Sequence, residues 1–266
     1  MRTNFTNFAG KYKGALQTKP DFGILIVGRR RKPTAICKPR RFEDGAVPVS
    51  LPFESQQERK MQRLFLVRHG ETDYNKTKII QGGGVDSDIN ATGRRQGQLF
   101  FRRYGTHPFT GYYVTGLRRT AQTMAPFMEN GVVFTREPRL NEMNWGILEG
   151  VDPTPRQLEM FVDANRRWEN GDFDYAIEGA ETPHAVQARA LAAVWDILHR
   201  HPRGDVLVCT HGRVLRILLT SLTGAGLEKM NDYPHQNAGL NVLARRGALF
   251  VPERLNDVEH LNETEP

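Results

Sequence analysis

The stretch Leu64-Phe65-Leu66-Val67-Arg68-His69-Gly70-Glu71-Thr72 decides how this chain of 266 residues is to be read. Leu64 to Val67 is continuously apolar, the pattern of a strand covered on both faces, as in a parallel sheet flanked by helices. Arg68-His69-Gly70 then turns out of that strand. Ligands of open α/β sheets bind beyond the carboxyl ends of the strands, so His69 stands where chemistry is usually done. The arginine beside it offers a forked cation suited to an anion.

A second stretch, Asp205-Val206-Leu207-Val208-Cys209-Thr210-His211-Gly212-Arg213, repeats the pattern. An apolar strand again ends in His-Gly, and Val214 to Leu222 continues as an amphipathic helix. Two such strand ends in one domain can face each other across a single pocket. Helices are expected at Thr92 to Tyr104, with Asn90 or Thr92 as cap, at Leu117 to Glu129 and at Pro155 to Trp168. A long helix is expected from Pro183, where Leu191, Val194, Trp195 and Leu198 fall at i, i+3, i+4 and i+7. Short strands are expected at Gly111 to Thr115, Val132 to Phe134, Gly239 to Leu243 and Leu249 to Glu253. The alternation predicts an α/β domain, a three-layer α/β/α sandwich with a mainly parallel central sheet.

Several segments carry chemistry in chain order. Arg68-His69-Gly70-Glu71-Thr72 with Asn75 comes first, then Gln81-Gly82, then Thr115-Gly116-Leu117-Arg118-Arg119-Thr120-Ala121-Gln122-Thr123. Leu140-Asn141-Glu142 follows, with Trp145-Gly146 and Glu149-Gly150, then Gly179-Ala180-Glu181-Thr182, and His211-Gly212 closes the set. Over Met61 to Leu261 these segments resemble the histidine phosphatase superfamily, the phosphoglycerate mutase-like enzymes, in that family's order. Thr115-Gly116 and Ala180 depart from its usual Ser-x and second Gly, which touches the pocket rim rather than the chemistry. The resemblance implies a phosphoglycerate mutase-like fold with a small helical cap insertion, to which the Pro155 helix would belong.

The resemblance also implies roles. His69 would be the nucleophile, its other ring nitrogen donating to a backbone carbonyl, with Arg68 and Arg119 binding the phosphoryl group. His211 would donate to the equatorial oxygens, helped by the Gly212 N–H at a helix N-terminus and by the Asn75 amide; Gln81 would bind substrate. Glu142 would be the acid that protonates the leaving oxygen and then the base that activates water. The chemistry suits these residue types. A phosphomonoester is dianionic, so fixed guanidinium forks offset the charge an attacking group must approach, and neutral imidazole is a competent nucleophile for a covalent intermediate. Arg118 and Arg119 are neighbours and point about 100° apart on a helix, so one of them can serve the pocket; the motif register selects Arg119.

The short separation of Glu142 from His211 resembles the phosphatase branch rather than the mutases, which carry a longer insertion. The expected activity is a phosphomonoester hydrolase acting on a small phosphorylated metabolite, such as a sugar phosphate. A cofactor-dependent phosphoglycerate mutase and a non-catalytic phospho-ligand binder stay open as alternatives. Arg94, Arg166 and Tyr175, with Gln81, are candidates for selectivity. No metal-ligand spacing and no cofactor fingerprint is present, so no metal and no cofactor is expected.

Charge is unevenly spread. Residues 1–60 hold 13 Lys and Arg against 5 Asp and Glu, whereas residues 61–266 hold 24 against 25. The leader, with its cluster Arg29-Arg30-Arg31-Lys32 and scattered prolines, reads as a disordered basic segment; residues 61–266 read as the domain. No nucleic acid is expected to bind the core, and there is no apolar run of membrane-spanning length. Cys37 and Cys209 are the two thiols and are not expected to pair, which fits a cytoplasmic protein, either monomer or homodimer. Met61 stands immediately before the first strand and is expected to be the true start. Mass spectrometry of the native N-terminus checks this, and peptides from residues 1–60 would overturn it.

Overall fold

The computed structural model describes residues 61–262. The basic leader and Cys37 lie outside the described residues. The chain from Met61 builds β1 (Arg63–Arg68), α1 (Asp73–Thr77), α2 (Ala91–Tyr104), β2 (Phe109–Val114), α3 (Arg118–Thr123), α4 (Ala125–Glu129) and β3 (Thr135–Arg136). It continues with α5 (Pro155–Glu169), α6 (Pro183–Arg200), β4 (Asp205–Thr210), α7 (Gly212–Thr223), β5 (Leu240–Arg246) and β6 (Leu249–Asp257).

The six strands form one sheet in the order β3-β2-β4-β1-β5-β6. β3, β2, β4 and β1 run parallel, and β5 and β6 run antiparallel beside them. A connection as short as that between β5 and β6 permits only an antiparallel return. The apolar run of β1 divides as a doubly covered strand must. Leu64 and Leu66 pack with α6, α7 and the Trp145–Trp168 region on one face, and Phe65 and Val67 pack with Phe100, Tyr104 and Phe127 on the other. The result is the expected three-layer sandwich.

Local chemistry accounts for two departures from the sequence expectations. The single helix expected from Leu117 to Glu129 is broken at Met124 into α3 and α4, because Pro126 lies in the first turn of the second helix, where its missing N–H is tolerated. The strand expected at Val132 to Phe134 lies instead at Thr135–Arg136, after a turn in which Gly131 takes φ +83° and the Val132 N–H returns to the Phe127 carbonyl. Helix starts follow their caps: Asn90 accepts from the Gly93 N–H, Thr154 and Gln157 form a capping box, and Thr182 accepts from the Ala185 N–H.

At the end of the sheet away from His69, β1 and β4 are clamped. Asp205, 1% exposed, accepts from Arg63 Nε at 2.9 Å and Nη2 at 2.6 Å, and lies 2.6 Å from His107 Nε2. Burial raises its pKa, but the hydrogen bonds from Arg63 and His107 outweigh this and hold it below the ordinary 3.8. A carboxyl with a depressed folded pKa contributes stability that is present above its unfolded value and lost as pH falls through the folded one. Asp205→Asn is therefore expected to lower the unfolding free energy by about 2 kcal/mol at pH 7, with the gap to the parent closing below pH 3.8. Denaturant melts across that pH range check it.

Candidate active site

The pairing of β1 with β4 is in register from Arg63↔Asp205 to Arg68↔Thr210, and the His69 N–H donates to the Thr210 carbonyl at 3.0 Å. His69 and His211 thus leave adjacent parallel strands side by side, with ring centroids 5.3 Å apart. The turn after His69 is tight. A Cβ on Gly70 would meet the Gly93 carbonyl oxygen at 2.6 Å, so the glycine lets α2 start directly against the turn.

His69 is 2% exposed, and its Nδ1 lies 2.8 Å from the Gly70 carbonyl oxygen. A carbonyl only accepts, so Nδ1 carries the proton and Nε2 keeps its lone pair. Burial, and then the charges of Arg119 and Arg68, push the His69 pKa well below 6.5, which keeps the ring neutral at physiological pH.

A cavity of about 290 Å³ opens at this end of the sheet. It is lined by His69, Arg68, Arg119, Glu142, Asn75, Gln81 and Gly212 among the residues expected from the sequence. Arg119 is 1% exposed and donates from Nη1 to the Val85 carbonyl and from Nη2 to the Gly82 carbonyl. Its neighbour Arg118 is exposed and pairs with Asp86 and Asp88, so the motif register selected the buried member. The Asn75 Oδ1 accepts from the Thr72 N–H and from Asn237 Nδ2, and the Gln81 Oε1 accepts from the Ser87 hydroxyl. With both oxygens occupied, these amides keep their N–H₂ donors for the cavity.

His211 sits deeper than expected. It is fully buried behind the cavity wall, its Nδ1 accepting from Arg119 Nε at 3.2 Å and its Nε2 lying 2.9 Å from the Thr115 hydroxyl. Nδ1 is thus engaged by Arg119, and the proton on the neutral ring is on Nε2. The Thr115 hydroxyl continues to the Thr120 hydroxyl, which donates to the Leu117 carbonyl. Donation from His211 to a phosphoryl oxygen therefore requires a proton on Nδ1, either as an added charge or by reversal of this threonine chain.

Glu142 reaches the cavity from the loop after Leu140. Its Oε1 accepts from the Met143 and Val214 N–H groups and its Oε2 from the Arg213 N–H, the last two at the first turn of α7. Two side chains hold this loop that were not singled out for such a role. Arg189 on α6 pairs with Glu181 and donates to the carbonyls of Arg139, Asn141 and Glu142. Glu149 accepts from the N–H groups of Gly83, Gly84 and Trp145, shaping the loop whose carbonyls hold Arg119.

The selectivity candidates fare differently. Arg94 is exposed and donates to the Ile89 carbonyl, Arg166 pairs with Asp163 on the outer face of α5, and Tyr175 lies under Arg167; none of the three lines the cavity. Arg213, Arg216, Lys78, His235, Trp145 and Phe161 line it instead. The Arg68 guanidinium donates to the His235 carbonyl at 2.6 Å, while its Nε is buried beside Gly212 with no hydrogen-bond partner among the described residues. A Cβ on Gly212 would meet the His235 ring at 2.6 Å, which explains the glycine there. Burial and three surrounding arginines push the His235 pKa down to about 2.

The chain belongs to the histidine phosphatase superfamily (branch 1), whose sequence pattern matches residues 64–258. Phosphoserine phosphatase 1 of Hydrogenobacter thermophilus is 26% identical over 204 residues, spanning 76% of this chain and 96% of the relative. A protein of Enterobacter sp. named "Probable phosphoglycerate mutase GpmB" is 31% identical over 212 residues, spanning 76% of this chain and 96% of that one. Among solved structures, Bacillus stearothermophilus YhfR superposes with a TM-score of 0.66 at 28% identity, over 75% of this chain and 99% of YhfR. The protein is a histidine phosphatase enzyme with the phosphoglycerate mutase-like fold. No helix among the described residues is long and apolar enough to cross a membrane.

The tautomer of His69 is open to direct measurement. Nitrogen-15 NMR of the imidazoles is expected to show His69 as the neutral Nδ1–H form from pH 8 down through pH 5.5, because its pKa lies well below 6.5. A titration centred near 6.5 would overturn the assignment.

Proposed function

We propose that this phosphatase hydrolyses phosphomonoesters of small metabolites through a covalent phosphoryl group on His69 Nε2. The observation that carries the reading is the Nδ1–H donated to the Gly70 carbonyl, which leaves Nε2 as the free lone pair in a cavity shared with Arg68, Arg119 and Glu142. In the first displacement Nε2 attacks phosphorus, the bond from phosphorus to the ester oxygen breaks, and a proton on Glu142 goes to the leaving alcohol. Water then attacks phosphorus, gives its proton to Glu142, and the P–N bond breaks to release phosphate and restore the ring.

The equatorial oxygens carry the charge that spreads in each transition state. Arg68 Nε and Nη2, the Asn75 and Gln81 amides and the Gly212 N–H at the start of α7 are donors placed for them. Arg119 serves the same charge at close range while its Nη atoms rest on the Gly82 and Val85 carbonyls. Cap helix α5 brings Phe161 to the rim beside Trp145, and these rings exclude water from the leaving-group side. The phosphatase names among the relatives support hydrolysis, and the Hydrogenobacter protein's name supports a small phosphorylated metabolite as substrate.

His69→Ala is expected to lower turnover by at least about a thousandfold while leaving the thermal midpoint close to that of the parent. The wild-type protein, quenched during turnover of a phosphorus-32 ester, is expected to carry a label that is lost in acid and kept in base, as phosphohistidine is. Retained turnover in the variant overturns the reading, as does conversion of 3-phosphoglycerate to its isomer without release of phosphate.

A further inference from the structure

We propose that Arg213 and Arg216 on α7 form a second anion subsite within the same cavity, so that the substrate is a phosphomonoester bearing a further anionic group, a carboxylate or a second phosphate. The inference rests on the hydrolase reading above and narrows its substrate.

Arg213 is only 7% exposed, yet it pairs with no carboxylate among the described residues. Its Nη1 donates to Asn231 Oδ1 at 2.9 Å and its Nη2 to Asn165 Oδ1 at 2.9 Å, both neutral amides, and its guanidinium lies 5.1 Å from the Trp145 ring and 5.4 Å from the Trp168 ring. Arg216 donates from Nε to the Tyr233 carbonyl and likewise makes no ion pair among the described residues. Six other arginines behave differently. Arg63, Arg118, Arg139, Arg167, Arg189 and Arg254 each pair with an aspartate or glutamate. Buried charges are ordinarily paired, because an isolated one loses its hydration for nothing in return.

The carboxylate that lines the cavity does not fill that role. It belongs to Glu142, whose oxygens accept from the backbone N–H groups of Met143, Arg213 and Val214 rather than from a guanidinium. The two cations also repel each other, and burial with that repulsion pushes the Arg213 pKa down to about 9. One phosphoryl dianion accounts for Arg68 and Arg119 beside His69. It leaves Arg213 and Arg216, which feel Glu142 only through space, with no ion pair among the described residues. Asn165 on the cap helix and Asn231, itself held by Glu169, hold the Arg213 fork in a fixed direction, and its Nε has no acceptor among the described residues. A cation that is buried, oriented by amides, stacked on indole rings and facing a cavity is arranged to receive a charged group.

The test compares kcat/KM for 3-phosphoglycerate, which adds a carboxylate, and fructose 1,6-bisphosphate, which adds a phosphate, with p-nitrophenyl phosphate and glucose 6-phosphate, which add no charge. The wild-type enzyme is expected to favour at least one doubly anionic ester over the uncharged pair by about tenfold or more, the better of the two identifying the group that the subsite takes. Arg213→Met and Arg216→Gln are each expected to reduce that ratio by about tenfold. A wild-type ratio near one, or a ratio unchanged in the variants, overturns the subsite while leaving hydrolysis through His69 intact. Should Arg213→Met fail to fold, the partly exposed Arg216→Gln decides. A wild-type enzyme that hydrolyses none of the four esters and takes no phosphoryl label overturns the hydrolase reading and the subsite with it.

Discussion

The in-register parallel pairing of β1 with β4 is the constraint on which the site depends. It places Arg68 opposite Thr210, lets the His69 N–H close onto the Thr210 carbonyl, and so puts two histidines from positions 142 residues apart within one ring's reach of each other. A slip of one residue would turn Leu64 and Leu66 toward the opposite layer and carry His69 out of the site. Register is secured at the far end by the Arg63–Asp205–His107 clamp and along its length by two apolar layers that accept only one alternation. The placing of the two histidines is therefore inherited from strand packing rather than built by the loops.

Around that fixed pair, the remaining groups are aimed by side chains that do not line the cavity. Glu149 ties down the loop whose carbonyls hold Arg119, and Arg189 with Glu181 ties down the segment that carries Glu142. Thr115 faces the inner nitrogen of His211. Each of these contacts is a charge or hydroxyl bonded to backbone or ring atoms, a geometry that tolerates few alternatives and so limits rotational freedom at the reacting centre.

How much of this was legible in the sequence follows from the range over which each signal acts. The β1 and β4 runs, the cap at Asn90 and the long helix from Pro183 are local patterns, and each appears in the structure. The break at Met124 was also local, and Pro126 was its unread signal. Arg68, His69, Arg119, Glu142, Asn75, Gln81 and Gly212 were recognisable by motif and do converge on one cavity. Arg213 and Arg216 stood in plain view, two cations in a helix otherwise composed largely of apolar residues, but charge on a helix is ordinarily solvated and only the tertiary fold shows these two turned inward. Arg94, Arg166 and Tyr175 illustrate the reverse. Their residue types suited a substrate, and the packing of α2 and α5 spends them on neighbours.

The cluster of Arg68, Arg119, Arg213 and Arg216 also bears on how firmly the domain holds together. Charges gathered in a buried space oppose folding: burial above all lowers the affinity of these four guanidinium groups for protons, and repulsion from neighbouring arginines adds to it at Arg68 and Arg213. Any anion that the folded chain binds and the unfolded chain does not draws the equilibrium toward the fold in proportion to the logarithm of its concentration. On the proposed hydrolase reading, the thermal resistance of this protein would be shared between the polypeptide and the phosphate content of its surroundings, because the charge proposed to gather substrate would also hold the released phosphate.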